Sequence, residues 1–374
     1  MKQTLPLLNA ARPGLLDAGE TALRHWLAQR GEKPLRARQI RQWLLARGVS
    51  SFEDMTDLPK GLREQLGEAF VPLASRIAKH LRASDDTHKL LIELQDGKLI
   101  ECVLIQDEGR RTACISTQVG CGMGCVFCAS GLGGVDRNLT VGEIVEQLLH
   151  LRALPSPSAL TDQVARLSHI VVMGMGEPLA NLDNLLDALE IASAKDGLGI
   201  GARHITISTV GLPVKLRRLA ELGKQYHLAV SLHAPNEDLR TQIVPTNDKT
   251  GLGAILAAAD YYFEKTGRQV TFEYVLLRDI NDNARHAQQL AALLKGRRAH
   301  VNLIPFNDVE GLPYRRPTDE ALETFTKVLQ QGRISVKVRK RKGSQIDAAC
   351  GQLRRSAASE SPLSPCTQGE RGRG

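Results

Sequence analysis

Three closely spaced cysteines are the clearest chemical feature of this sequence. Cys121, Cys125 and Cys128 form the pattern CxxxCxxC in a loop that also contains glycines. Three thiolates bind three irons of a [4Fe-4S] cluster and leave the fourth iron open to a small molecule, whereas a structural zinc ion takes four ligands. The spacing therefore predicts a [4Fe-4S] cluster. Zinc with a distant fourth ligand, or three unrelated buried cysteines, are the alternatives.

Other reactive side chains lie outside this loop. Cys114 precedes it, Cys350 follows a basic run near the C-terminus, and Glu101 interrupts an apolar segment. In an arbitrary protein, such cysteines are small buried hydrophobes and such a glutamate lies on the exposed edge of a hairpin. Cys102 should face away from Glu101 because strand residues alternate, and we assign no role to it or to Cys366.

The elements that must position these residues begin with a helical module in residues 1–75. Apolar residues at helical spacing predict helices over 37–47 and 62–69. Four basic residues cluster near the start of the first of these helices, and they are Lys33, Arg36, Arg38 and Arg41. The cluster indicates either an RNA-docking module or a solvated basic helix.

A β-hairpin extension is predicted in residues 76–106. Apolar runs at 90–94 and 99–104 flank Asp96-Gly97, which is a strong signal for a tight turn between two strands. The second of these strands carries Glu101.

Strands and helices alternate in residues 107–345. Strands are predicted at 112–117, 168–173, 204–208, 227–232, 269–277, 300–305 and 334–340. Helices are predicted near 141–153, 182–195, 213–223, 252–265, 283–295 and 318–331, and Thr140 with Glu143 forms a capping box before the first of them. Six βα units and a final strand predict an α/β fold with parallel strands, either as an open sheet or as an incomplete barrel. Residues 346–355 form a separate segment with Cys350, and residues 356–374 are predicted to be a disordered tail.

Composition limits the class of protein and its compartment. The chain has 374 residues, 49 of them Lys or Arg and 41 Asp or Glu, and this surplus suits a polyanionic partner without requiring one. Seven cysteines, an odd number, argue against a secreted disulfide framework and predict a cytoplasmic protein. We find no targeting segment and no apolar stretch of membrane-spanning length, so no membrane association is expected.

The cysteine loop resembles that of the radical S-adenosylmethionine superfamily. There the open iron binds the amino and carboxylate groups of S-adenosylmethionine, and an electron from the cluster cleaves it to a 5′-deoxyadenosyl radical. The superfamily core is a partial (β/α)6 barrel, which agrees with the six units counted above, and ligands of such barrels bind at the C-terminal ends of the strands. The residues expected to contact the cofactor are therefore Gly176, Glu177, Ser208, Ser231, Leu232, His233 and Asn307. Glu177 is the candidate acceptor for the cofactor's ammonium group.

With Glu101, Cys114 and Cys350 included, the chain from the hairpin through Leu353 resembles the RlmN/Cfr family of radical SAM RNA methyltransferases. The matching segments are the cysteine loop, Gly176-Glu177-Pro178, residues 231–236 and residues 347–353. The resemblance implies methylation of C2 of an adenosine in 23S rRNA, at the peptidyl-transferase centre, and of an adenosine in the tRNA anticodon loop. The alternatives are methylation of C8, or an iron–sulfur RNA-binding sensor without turnover.

The resemblance also implies the residue roles. Cys350 carries the methyl group of a first S-adenosylmethionine, and a second one yields the radical, so that two are used per turnover. Glu101 is the general base, and Cys114 is the resolving thiol that forms a transient disulfide with Cys350. An electron-donating reductase system such as flavodoxin and a monomeric enzyme are expected. The loop near Asp308 departs from the family pattern, which weakens the case for Asn307 as a cofactor contact.

Overall fold

This computed structural model describes residues 12–107, 109–155 and 166–354. The N-terminal module is helical. Its helices are α1 (Leu15–Ala28), α2 (Leu35–Arg41), which continues as a π-helical turn (Gln42–Arg47), and α3 (Lys60–Ala69). Both predicted helices are therefore confirmed. The predicted C-terminal tail and Cys366 lie outside the described residues.

An antiparallel hairpin forms the next part of the chain, as predicted. Strand β2 (His88–Glu93) pairs with β3 (Leu99–Asp107), and Gly97 occupies the turn with a φ of 78° that favours glycine. A preceding strand, β1 (Arg76–Arg82), pairs with β2 and was not predicted. Its side chains are largely exposed and mostly basic or polar, so it lacks the apolar alternation by which a half-buried strand is recognised.

The remaining strands build a mostly parallel sheet and one small hairpin. They are β4 (Arg110–Cys114), β5 (Gln118–Gly120), β6 (Val135–Asn138), β7 (His169–Val172), β8 (Ile205–Thr209), β9 (His227–Ser231), β10 (Val270–Leu276), β11 (Ala299–Pro305) and β12 (Ser335–Val338). Strand β4 is antiparallel to β3 and parallel to β7, so the hairpin extends the edge of the parallel sheet. In the large sheet the strand order is β1-β2-β3-β4-β7-β8-β9-β10-β11-β12, while β5 and β6 pair separately.

The helices between these strands agree with the predicted crossovers. They are α4 (Val141–Arg152), α5 (Leu182–Ser193), α6 (Pro213–Glu221), α7 (Glu237–Ile243), α8 (Asn247–Thr250), α9 (Leu252–Thr266), α10 (Ala284–Leu294) and α11 (Asp319–Gln331). The two short helices α7 and α8 were not predicted. The capping box is present: the Thr140 side chain accepts from the Glu143 N–H at 3.1 Å, and the Glu143 carboxylate accepts from the Thr140 N–H at 2.9 Å. Such a cap contributes about 1 kcal/mol and determines where α4 begins.

The sheet curves into an incomplete barrel that the C-terminal segment spans. Arg339 follows β12 and Met173 follows β7, yet the Arg339 guanidinium donates to the Met173 sulfur at 3.6 Å. Side chains from distant strands therefore meet inside the barrel. Beyond β12, the Gly343 N–H donates to Asp85 at 3.0 Å and Ser84 donates to Gln345 at 2.9 Å. The partial (β/α)6 barrel is thereby confirmed, and the segment after β12 lies between the barrel and the hairpin.

None of the helices in the described part of the chain has both the length and the apolar character that a membrane crossing requires.

Candidate active site

The cysteine loop is held at its base by the small β5–β6 hairpin. Gln118 of β5 pairs with Asn138 of β6, and the Cys121 N–H donates to the Gly134 carbonyl at 2.9 Å. Within the loop, Gly124 has a φ of 67°, a conformation that favours glycine, and the Cys128 N–H donates to the Cys125 carbonyl at 3.1 Å. The loop thus follows β5 rather than β4, because β4 ends at Cys114, three residues before the predicted end of that strand.

A cavity of about 150 Å³ opens above this loop at the C-terminal ends of the parallel strands. The three thiols Cys121, Cys125 and Cys128 line it, together with residues that end the strands β7 to β12. The topology therefore brings the predicted cluster ligands and the strand-end residues into one chamber.

Three thiols that line one cavity are the ligand set of a [4Fe-4S] cluster with one open iron. In a four-iron cluster each cysteine binds a different iron, so the three sulfurs need not converge on one point. When bound, the cluster would take Cys121, Cys125 and Cys128 as thiolates.

Arg240 of α7 supplies a buried cation near this loop, a role that was not predicted from the sequence. Its guanidinium donates to the carbonyls of Val210 and Leu232 at 2.6 and 3.1 Å and to the Asn247 side chain at 2.6 Å. Burial lowers the pKa of Arg240 to about 10, and neighbouring Cys125 opposes that change. A fixed positive charge here favours the thiolate form of the ligand loop. The only signal in the sequence is an arginine in a short amphipathic helix, which is common on protein surfaces.

Glu177 lies in the cavity wall and is held by the end of β8. Its Oε1 accepts from the Thr209 hydroxyl at 2.6 Å and from the Leu179 N–H at 3.0 Å, while Oε2 accepts from the Val210 N–H at 2.9 Å. Burial raises the pKa of Glu177. The carboxylate thus joins two strand ends, and Oε2 keeps a second lone pair for a ligand donor.

Most of the other predicted cofactor residues line the same cavity. These residues are Gly176, Ser208, Ser231 and His233. Gly176 has a positive φ of 102° and lies against Gln118, where the Cβ of any other residue would clash. Leu232, by contrast, is fully buried in the core and does not line the cavity.

His233 is a neutral side chain in this wall. Its Nδ1 accepts from the Val275 N–H at 3.1 Å, which leaves the proton on Nε2. Burial and then Arg240 lower the pKa of His233 to about 3. The ring packs edge-on against Phe127 of the cysteine loop, with 4.8 Å between centroids. His233 therefore offers a ligand an N–H donor at neutral pH.

The segment that carries Cys350 is fastened to the cysteine loop. The Ala129 N–H donates to the Gly351 carbonyl at 2.8 Å, and the Ser130 hydroxyl donates to the Leu353 carbonyl at 2.8 Å. Asn307 also holds this segment, because its side-chain amide donates to the Cys350 carbonyl at 3.2 Å. Asn307 lines the cavity as well, so the structure gives it a contact with the cysteine segment besides the predicted cofactor contact.

Cys350 is exposed and lies at the junction of two cavities. It lines the chamber of the cluster cysteines and also a second cavity, of about 140 Å³, which Cys114 lines as well. Cys114 and Cys350 are both free thiols, so this structure contains no disulfide between them. Burial raises the pKa of Cys114 to about 12.

Arg339, also missed, is the cation that faces this pair of cysteines. It lines both cavities, and its charge opposes the effect of burial on the pKa of Cys114. Cys350 is the largest cause of the raised pKa of Arg339, followed in the same direction by Glu273. In the sequence Arg339 is one of several basic residues in a run. The fold distinguishes it from Lys340, Arg341 and Lys342, which line the second cavity but not the first.

Glu101 lies under the Cys350 segment rather than on the cavity surface. Only 5% of it is exposed, which excludes the edge-of-hairpin alternative. Its Oε1 contacts Lys89 Nζ at 2.9 Å, and its Oε2 accepts from the Arg354 N–H at 2.9 Å. Burial raises the pKa of Glu101, and Lys89 partly offsets this rise. A desolvated carboxylate of this kind is a stronger base than an exposed one.

Comparisons with known proteins agree with this architecture. The model of the radical SAM superfamily matches residues 115–291, and the model of the ribosomal RNA large subunit methyltransferase N-terminal domain matches residues 14–71. A probable dual-specificity RNA methyltransferase RlmN of Rhodopirellula baltica is 54% identical, over 91% of each chain. Its Bacillus subtilis counterpart is 44% identical, over 93% of this chain and 94% of its own. A crystal structure of a radical SAM methyltransferase from Sphaerobacter thermophilus superimposes with a TM-score of 0.87 at 40% identity, covering 92% of this chain and all of that one. The chain therefore belongs to the RlmN family of radical SAM RNA methyltransferases.

Proposed function

We propose that this enzyme methylates C2 of an adenosine in 23S rRNA, and of an adenosine in the tRNA anticodon loop, through a methyl group carried on Cys350. The observation that supports this most directly is the position of Cys350, which lines both the chamber of the cluster cysteines and the cavity of Cys114. One exposed sulfur can therefore meet the radical-generating site on one side and the resolving thiol on the other.

The chemistry of the substrate requires a radical reaction. The ring carbons of adenine are electron-poor and do not displace a methyl group from a sulfonium as a nitrogen or oxygen does. When bound, the [4Fe-4S] cluster and two molecules of S-adenosylmethionine per turnover supply the methyl group of Cys350 and the radical that activates it. The target base must leave its stack to reach the chamber, as base-directed chemistry requires.

The side chains then act in sequence. The methylene radical on Cys350 adds to the ring carbon, and the adduct loses one electron, which the bound cluster would take back. With the ring proton also removed, the RNA is left attached to the enzyme as a closed-shell thioether. Glu101 accepts the ring proton as general base. The Cys114 thiolate attacks the Cys350 sulfur, so that an S–S bond forms, the C–S bond breaks, and the released carbon takes a proton to become the methyl group. An external reductant restores both thiols, and a reductase system such as flavodoxin supplies electrons to the bound cluster.

The position of the methyl group separates this proposal from methylation of C8. We expect that RNA modified by the purified enzyme and digested to nucleosides contains 2-methyladenosine. Mass spectrometry with chromatographic separation of the isomers measures this directly. Finding only 8-methyladenosine would favour the C8 alternative. Finding no methylated adenosine, although the cluster of the purified protein is active, would favour the iron–sulfur sensor.

The metal content distinguishes a cluster from zinc. Anaerobically purified enzyme is expected to be brown and to contain roughly four irons per chain, as three cysteine ligands of a [4Fe-4S] cluster imply. Elemental analysis and visible absorption are the measurements. Colourless protein with one zinc per chain would contradict the proposal.

RNA binding should depend on the basic N-terminal module. Lys33 and Arg38 are exposed, whereas Arg36 and Arg41 are held in ion pairs with Glu32 and Glu20. We expect affinity to fall with salt, and the slope of log K against log salt to decrease by about 1–2 in the Lys33→Ala/Arg38→Ala double variant.

Lys327→Ala on the outer helix α11 is the control for this measurement, because Lys327 is equally exposed but pairs with Glu323. An unchanged salt slope in the double variant would show that the module is a solvated helix.

We further propose that the enzyme is a monomer in the cytoplasm.

A further inference from the structure

The Cys350 segment is attached at both ends to one buried ion pair. Lys89 Nζ lies 2.9 Å from Glu101 Oε1 and donates to the Asp347 carbonyl at 3.2 Å, three residues before Cys350. Glu101 Oε2 accepts from the Arg354 N–H at 2.9 Å, four residues after Cys350. The carboxylate that serves as base and the sulfur that carries the methyl group are therefore linked through Lys89 and through the backbone.

The hairpin determines this geometry. Leu91 of β2 pairs with Glu101 of β3, so Lys89, two residues before Leu91, lies on the same face of the sheet as Glu101. Both side chains are deeply buried, with exposed fractions of 8% for Lys89 and 6% for Glu101. Stability alone does not explain such a pair, because an apolar pair of similar size is often as stable as buried charges.

We infer that Lys89 is a positioning residue, which fixes the general base Glu101 relative to the Cys350 segment so that the carboxylate meets the ring proton of the RNA adduct. The inference rests on the proposed function and adds a residue to it. Lys89 acts through Glu101, and the step that depends on it is resolution of the adduct rather than its formation.

Lys89 also controls how much of Glu101 is ionised. The charged groups that face this carboxylate are Lys89 from β2 and Arg354 from the C-terminal segment, and burial opposes both. Without Lys89 the pKa of Glu101 rises further, so less carboxylate is available at neutral pH and adduct resolution shifts to higher pH. A general base must be unprotonated to act.

The test follows the protein–RNA adduct in single-turnover reactions of reconstituted holoenzyme. In Lys89→Met the adduct should form at the wild-type rate but decay roughly 10–100-fold more slowly, because the base is misplaced and less ionised. Its decay should recover toward alkaline pH. Lys89→Arg, which keeps the cation, should restore most of the rate, and iron content and Cys350 methylation serve as folding controls.

A double-variant cycle separates positioning from a structural effect. If Lys89 acts through Glu101, adding Lys89→Met to Glu101→Gln causes no further slowing, whereas independent structural effects would multiply. Lys89→Gln serves in the same cycle if Lys89→Met folds poorly, because glutamine keeps a donor without the charge.

If the adduct decays at the wild-type rate in the Lys89 variants but slowly in Glu101→Gln, the inference about Lys89 is overturned and the general-base role of Glu101 is kept. Normal decay in Glu101→Gln would overturn the general-base role, and the inference with it.

Discussion

Replacing Cys350 with alanine is expected to abolish methyl transfer to RNA, a loss of at least about 10⁴-fold of the kind seen when a covalent catalyst is removed. Cys350 is the exposed sulfur between the two cavities, and without it nothing carries the methyl group to the ring. The measurement is incorporation of labelled methyl into RNA, with mass spectrometry of the intact protein to show that the methyl on residue 350 has gone.

The matched control is Cys102→Ala. Cys102 is also a free cysteine but is fully buried on β3, and its thiol has no place in the proposed sequence of steps. Its replacement should leave product formation within a few-fold of wild type, at a stability cost of about 1 kcal/mol. Methylated RNA produced by Cys350→Ala would show that the methyl group reaches the base without this carrier.

Replacing Cys114 with alanine is expected to stop the enzyme after adduct formation. Cys114 is a buried thiol that lines the second cavity together with Cys350, and it is the proposed attacker of the thioether sulfur. The RNA should therefore remain covalently attached at Cys350, and free methylated product should fall to background. A denaturing gel with labelled RNA detects the adduct, and peptide mapping locates it.

Cys350→Ala combined with Cys114→Ala supplies the second arm of this experiment, because the double variant should form no adduct. Release of free product by Cys114→Ala at the normal rate would contradict the resolving role. Adduct mapped to a residue other than Cys350 would contradict the assignment of the carrier.

Much of the fold could be predicted because buried faces of helices and strands place apolar residues at regular spacings along the sequence. Strands β7 to β11 are largely buried in the sheet, and helices α4, α5 and α9 to α11 have one apolar face. Their patterns are therefore strong, and their bounds agree with the predicted ones to within a few residues. The exceptions have physical reasons. Strand β1 is exposed and basic, and β5 and β6 are too short, at three and four residues, to show any period.

The candidate site was predictable to the extent that its chemistry is local. The spacing of Cys121, Cys125 and Cys128 indicates a cluster without any knowledge of the fold. Glu177 could be chosen because it follows a strand, but its bonds to Thr209 and Val210 could not be foreseen. Arg240, Arg339 and Lys89 were missed because a basic residue in an amphipathic or basic run looks like a solvated one.

The ligand loop, the order of strands and helices, and two reactive cysteines and a glutamate far from that loop can all be read from the sequence alone. That Cys350 lies between two cavities, and that Glu101 is buried against Lys89 beneath it, becomes visible only in the folded chain. Spacing along the chain reflects local bonding and burial, whereas contacts between residues more than two hundred positions apart depend on how the sheet curves. The cysteine triad thus specifies how a radical is made, and the curvature of the barrel determines which side chains can use it.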